Sequence, residues 1–155
     1  MSSVVIDCNV LITADGRNDS PKKGCEERCI ERLLEIQEYR HTVLWDDAGR
    51  IQDEYLGNIP FPHPPGVASR FLLWAWRGNS RRVKITPRHN DDRREDYEEF
   101  PDDPDLADFD PSDRKYVAVA IASKENPPIL NATDTDWVND RVALERYVRI
   151  ESLCL

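Results

Sequence analysis

The chain has 155 residues, one third of them charged, with 30 acidic side chains against 21 basic ones and a net charge of -9. That length corresponds to one domain with a real hydrophobic core. A mean hydropathy of -0.67 and the lack of any apolar run near ~20 residues argue against a membrane span and fit a soluble, cytoplasmic protein. The acidic balance argues against tight non-specific nucleic-acid binding, which is driven by phosphate neutralisation.

The N-terminal stretch MSSVVIDCNVLI lacks the basic region and small-residue cleavage site of a secretory leader. The four cysteines (Cys8, Cys25, Cys29 and Cys154) match no zinc spacing, so reduced thiols are expected. Ser3–Ile12 reads as a buried central strand, with Asp7 interrupting it. In an open α/β sheet that interruption would lie at the ligand-binding edge, although Asp7 serves equally well as a helix or turn cap for the next segment. A polar loop over 15–24 leads to an amphipathic helix over Cys25–Arg40. Cys25 and Cys29 lie four apart on that helix, and small apolar packing is favoured there over a metal or disulfide role.

His41–Trp45 is expected as the second strand, and Ile51–Ile59 as a short helix with Ile51 and Tyr55 inward. Glu54 borders that inward face, with Asp53 as the neighbouring competitor for any role given to it. Pro60–Gly66 is a stiff breaker. Val67–Arg77 is a helix carrying Phe71, Leu72, Trp74 and Trp76, better suited to a core or a dimer face than to base stacking. Arg81–Thr86 is expected as a strand. Residues 88–109 form a long acidic loop with the character of a functional lid.

Asp110–Ser123, DPSDRKYVAVAIAS, is the best-specified helix. Asp110 is the N-cap, Pro111 opens the helix, Asp113 lies in the first turn, and Val117, Ala118, Ala120, Ile121 and Ala122 form a closely packing body. A strand over Pro127–Ala132, the acidic turn Thr133–Trp137, a helix over Asn139–Glu145 and a strand over Tyr147–Ile150 complete the chain. The alternation predicts a parallel or mostly parallel α/β sandwich over 1–155, with a variable segment at 60–109.

Asp7 and Asp134 each follow an apolar strand, Asp113 opens a buried helix, and Glu54 sits on a short helix after a strand. Strand C-termini of a parallel sheet share one edge, so these carboxylates converge there. They cannot all stay ionised without a cation. Oxygen-only ligands suit Mg²⁺ or Mn²⁺, which can generate hydroxide and neutralise charge on a phosphate under in-line attack. The residues therefore point to a metal-dependent phosphodiesterase.

Together, VVIDCNVLITA, DEYL, DPSDRKYVAVAIAS and ILNATDTDW resemble, in order and spacing, the PIN domain family of metal-dependent ribonucleases. The resemblance implies a three-layer α/β/α fold and Mg²⁺- or Mn²⁺-dependent endonucleolytic cleavage of RNA, commonly single-stranded. Asp7, Glu54, Asp113 and Asp134 would hold the metal, with Asp136 as an auxiliary acid. Asn9 and Thr133 would orient those ligands. Many small members are toxins of toxin–antitoxin pairs, and dimerisation is common, so an antitoxin and a homodimer are among the implied partners. Two positions depart from the family pattern: Ala132 stands where a polar residue often precedes the fourth motif, and Trp137 replaces the usual Phe.

Substrate contacts are assigned to Arg114 and Lys115 beside Asp113, and to Arg81 and Arg82 as the best basic cluster elsewhere. The competing reading is a catalytically weak PIN-like module whose tryptophan-rich helix docks a partner protein. A haloacid-dehalogenase-like phosphatase ranks last, because position 9 is Asn where that chemistry needs a second Asp.

Overall fold

The computed structural model describes residues 2–18, 22–88 and 95–154. The expected loops at 15–24 and 88–109 fall partly outside them. Strands β1 (Ser3–Ile6), β2 (Thr42–Asp46), β3 (Ser80–Val83), β4 (Pro128–Asn131) and β5 (Arg149–Ser152) form one sheet in the order β3-β2-β1-β4-β5. Every ladder is parallel, with Val4 opposite Val43, Ile6 opposite Leu130 and Ile129 opposite Ile150. β1 is buried along its whole length, as a central strand covered on both faces must be.

Helices α1 (Cys8–Ala14), α2 (Cys25–Glu38), α3 (Arg50–Asn58) and α4 (Val67–Trp76) lie in the connections that step from β1 outward to β3. They pack on one another, α1 against α2, α3 and α4. The chain then returns through α5 (Arg114–Ser123), which packs on β1, β2, β3 and β4, and steps outward again through α6 (Thr135–Asn139) and α7 (Arg141–Leu144) to β5. Right-handed crossovers place these two groups on opposite faces. The protein is therefore a three-layer α/β/α sandwich, with β1 and β4 adjacent where the winding direction reverses. No described helix is long and apolar enough to cross a membrane.

The expected strand Ser3–Ile12 ends at Ile6. Asp7 accepts the Asn9 N–H and caps α1, so Val10 and Leu11 are buried on a helix, not on a strand. A short apolar run does not distinguish the two, and the capping carboxylate decides it. At the next connection Gly49 takes φ +79°, and the buried Asp46 accepts the N–H groups of Arg50 and Ile51. That capping starts α3 and sets the helical phase that brings Glu54 to the sheet edge. The expected acidic turn Thr133–Trp137 runs into the short helix α6, the helix expected over Asn139–Glu145 is the shorter α7, and the last strand begins two residues later than expected, at Arg149.

Residues 95–109 of the expected lid pack against the rest of the fold. Tyr97, Phe100, Leu106 and Phe109 are buried. Arg88 donates to the Tyr97 and Phe100 carbonyls, and Glu99 receives the Thr86 N–H. The expectation of reduced thiols is also corrected. Cys25 and Cys154, 129 positions apart, form a disulfide with a Cα separation of 5.1 Å, while Cys8 and Cys29 are free. Nothing in the cysteine spacing reveals this, because β5 brings the C-terminal segment back to α2 only in the folded sheet.

Candidate metal centre

The chain reverses its winding between β1 and β4, and in open α/β sheets that crevice is where ligands bind. Asp7 leaves β1 there and Asp134 leaves β4. Asp113 arrives from the other face: Asp110 accepts the Ser112 N–H and Oγ–H, a 3-10 turn over Pro111–Asp113 follows, and α5 begins at Arg114. One oxygen from each of Asp7, Asp113 and Asp134 lies within 4.8 Å of the other two.

The first and last turns of the site are tied together by amides. Asn9 donates from Nδ2 to Asn131 Oδ1 (3.0 Å) and accepts the backbone N–H groups of Ala132 and Thr133 on Oδ1. Asn131 receives the Asp134 N–H and donates to the Asp134 carbonyl. Thr133 Oγ1 accepts from Asn18. Asn9 thus ties the start of α1 to the turn that carries Asp134. Asn131, at the end of an apolar strand, supplies polar bracing to a turn in which Ala132 has none to offer. Asp134 itself caps α6 by accepting the Asp136 N–H.

Burial dominates the electrostatics. Asp113 is pushed up to about 10, first by burial, then by the charges of Asp7 and Asp134 and by a side-chain hydrogen bond with Asp134. Asp7 is pushed up to about 7 by burial, with smaller contributions from Asp134 and Glu54. Its hydrogen bonds from Asn9 and from the Trp137 indole act in the opposite direction. Asp113 Oδ2 is buried and has no hydrogen-bond partner. Among the described residues none of Asp7, Asp113 or Asp134 is ion-paired with Lys, Arg or His. An all-oxygen donor set with an orphaned buried carboxylate oxygen and no counter-charge fits a small hard divalent cation.

Glu54 does not join the three. It faces the site from α3, but Tyr116 Oη donates to its Oε1 and Lys115 Nζ lies 3.5 Å from its Oε2. Tyr116 Oη in turn receives the Cys8 N–H, next to Asp7. Asp53, the competitor, is exposed on the outer side of α3. Asp136 groups instead with Asp110 and Asp113, again within 4.8 Å.

The basic residues separate sharply. Lys115 is buried against Glu54 and the Ser112 carbonyl, at the site but away from solvent. Arg114 is a structural clamp: it donates to the Phe109 and Ala107 carbonyls, pairs with Asp96 and stacks 4.7 Å over the Phe100 ring. That leaves it no free face for a phosphate. Arg81 pairs with Glu125, beyond the C-terminal end of α5 and so at the opposite edge of the sheet from the carboxylates. Arg82 is exposed and reaches the Asp47 carbonyl. Trp137, Asn131, Tyr116 and Asp110 are the site residues that motif reading missed. Two of them carried a signal: Trp137 is a donor where the family pattern has Phe, and Asp110 is a second carboxylate three positions before Asp113.

Compared with known proteins, the chain matches no family model, no curated protein and no solved structure.

Proposed function

We propose that the protein is a cytoplasmic, Mg²⁺- or Mn²⁺-dependent endonuclease that hydrolyses RNA phosphodiester bonds, in the manner of the PIN domain family that its motifs resemble. The observation that carries this reading is the convergence of Asp7, Asp113 and Asp134 within 4.8 Å at the point where the sheet reverses its winding. Three carboxylates from three separate elements, two of them buried, are costly to bring together for stability alone.

A divalent cation bound there would supply a water of lowered pKa and neutralise the charge that develops on the phosphate. The chain's own residues provide the rest. Asp7, Asp113 and Asp134 would hold the ion. The Trp137 indole and the Asn9 N–H fix the two oxygens of Asp7, so the carboxylate does not rotate between ligand arrangements. Asn9 and Asn131 hold the turn that presents Asp134. Glu54, kept in place by Tyr116 and Lys115, stands as a positioned carboxylate beside the three and would orient water by hydrogen bonding at its oxygens. Single-stranded RNA is the substrate that the resemblance implies.

A second reading, a partner-docking module, is favoured by one feature. Trp76, Leu56 and Phe61 are exposed and line an apolar groove of about 230 Å³ beside the stacked Trp45–Trp76 pair. The two readings separate in one experiment. Purified protein is incubated with short single-stranded RNA and Mg²⁺ or Mn²⁺, with EDTA and Asp113→Asn as controls. Metal-dependent cleavage lost in the variant supports the nuclease. Absence of both cleavage and any metal-induced rise in Tm removes it and leaves the docking module.

A further inference from the structure

Three of the four cysteines meet at one place in the core. Cys25 and Cys29 stand on successive turns of α2, and Cys154 returns to them after β5. One sulfur from each lies within 4.8 Å of the other two, and all three residues are buried. The Cys25–Cys154 disulfide leaves the Cys29 thiol beside it, with Cys29 Sγ 3.9 Å from Cys154 Sγ. We infer that this cluster is a metal site separate from the acidic crevice: it opens when the disulfide is reduced and then holds one soft, thiol-seeking cation, Cu⁺, on Cys25, Cys29 and Cys154. The inference does not depend on the nuclease reading.

Three observations support it. The first is the donor set. Among the described residues no carboxylate or imidazole joins the three sulfurs. Sulfur-only ligands select soft cations such as Cu⁺ and Zn²⁺ over Mg²⁺ or Mn²⁺. A structural Zn²⁺ takes four protein ligands, whereas Cu⁺ is satisfied by three.

The second is spacing. Sulfurs held about 2.3 Å from one cation, at the corners of a triangle, are about 4.0 Å apart. The Cys29 and Cys154 sulfurs already have that separation, at 3.9 Å. Opening the disulfide leaves only Cys25 and Cys154 to move apart, and sulfurs that are no longer bonded take up such a distance by van der Waals contact alone.

The third is a frame that outlasts the disulfide. Arg28 donates from Nε to the Leu153 carbonyl at 2.7 Å, and Arg32 pairs with Glu151 through Nε at 2.6 Å and Nη2 at 3.2 Å. Leu153 also donates its N–H to the Asn131 carbonyl. These bonds keep Cys154 against the first turns of α2 after the sulfurs part. Burial pushes the Cys29 thiol up to about 11, while the Arg28 charge pulls it down. That thiol therefore keeps its proton until a cation replaces it, and Arg28 then offsets the negative charge of the metal–thiolate group.

A small-molecule thiol opens the site. The Cys25–Cys154 bond breaks, each sulfur gains a hydrogen, and two small thiols become one disulfide. Cu⁺ then binds with no change of oxidation state: three S–Cu bonds form, three S–H bonds break, and the protons pass to solvent.

The test is an anaerobic titration of the full chain with Cu⁺ against a coloured Cu⁺ chelator, in the disulfide form and in the fully reduced form. The reduced wild type is expected to take one Cu⁺ from the chelator and the disulfide form none. Neither arm needs a substitution. Cys29→Ser keeps both disulfide partners; once reduced, and shown by circular dichroism to be folded, it is expected to lose Cu⁺ binding, while Cys8→Ser retains it. No Cu⁺ on the reduced chain, equal uptake by the disulfide form, or unchanged uptake by folded Cys29→Ser overturns the inference, as does displacement of Cu⁺ by Zn²⁺. A Mn²⁺ titration of the same wild-type forms reads the acidic crevice separately, and equal Mn²⁺ uptake with and without bound Cu⁺ is expected. Loss of Mn²⁺ binding in the Cu⁺-loaded chain would place both cations in one site and overturn the inference as well.

Discussion

Trp137 donates its indole N–H to Asp7 Oδ2 over 2.6 Å, joining residues 130 positions apart inside the core. Phe109 packs edge-on against the same indole, so the donor cannot swing away. Trp137→Phe keeps an aromatic ring but removes the only side-chain hydrogen bond that Asp7 receives among the described residues. The expected result is a loss of about 2–3 kcal/mol in urea-unfolding stability, combining a charge-assisted hydrogen bond with a small void. Mn²⁺ affinity should fall as well, because Asp7 is then harder to ionise. Unchanged affinity in a folded variant would mean that the indole does not position the ligand.

Asp7 and Asp113 predict an unusual pH profile for the metal-free protein. Both have folded values above the ordinary carboxylate value near 4, at about 7 and about 10 respectively. Below about pH 4 both are protonated in either state and their contribution is fully present. As pH rises, the unfolded chain releases these protons first, so stability is lost progressively through about 7 for Asp7 and about 10 for Asp113. Melting in EDTA at about pH 5 and about pH 9 should therefore favour the acid side. Saturating Mg²⁺ should remove most of that difference, because the ionised carboxylates then have a cation between them. A metal-free protein more stable at about pH 9 than at about pH 5 would contradict this account of the site.

Asp113→Asn tests the same electrostatics from the other direction. The amide is nearly isosteric and carries no charge in the crowded crevice. The metal-free variant is expected to be more stable than wild type by about 0.5–2 kcal/mol, while RNA cleavage is lost. A variant both inactive and clearly destabilised would show that Asp113 serves the fold and not a cation.

Arg114 and Lys115 are adjacent in sequence and should differ in effect. Arg114→Ala removes an ion pair, carbonyl contacts at Ala107 and Phe109, and the stack on Phe100. A stability loss of roughly 2–3 kcal/mol with normal Mn²⁺ binding is expected. Lys115→Met removes the cation that holds Glu54, so its effect should fall on cleavage rate more than on stability. Equal losses of RNA affinity in both variants would restore Arg114 as a substrate contact.

The disulfide yields a prediction of its own. Reduction of Cys25–Cys154, or Cys25→Ser, should lower stability by about 2–4 kcal/mol because the loop it closes spans most of the chain. The bond ties α2 to the end of β5 and touches no carboxylate of the crevice, so the Mn²⁺ titration should be unchanged. A parallel loss of Mn²⁺ binding would show that the C-terminal fastening shapes the site.

The α/β alternation, the parallel sheet and three of the acidic residues were legible in the amino-acid order for a local reason. Caps, prolines and apolar periods act within about one helical turn of themselves. Asp7 and Asp134 come directly after apolar strands, and Asp113 sits in a turn that Asp110 and Pro111 specify, so a parallel sheet places all three on one edge with no further information. The same locality explains the misreading of Val10–Ile12, where a short apolar run fits either a strand or a helix. Only the tertiary structure decided that Glu54 is held by Lys115 and Tyr116 and not by the carboxylates, that Asp136 sides with Asp110, that Trp137 reaches Asp7, and that Cys154 meets Cys25. Each of these pairings except Asp136 with Asp110 joins residues more than 60 positions apart, and all depend on how the layers pack and on which way each side chain turns once buried. Patterning along the chain carries no record of that.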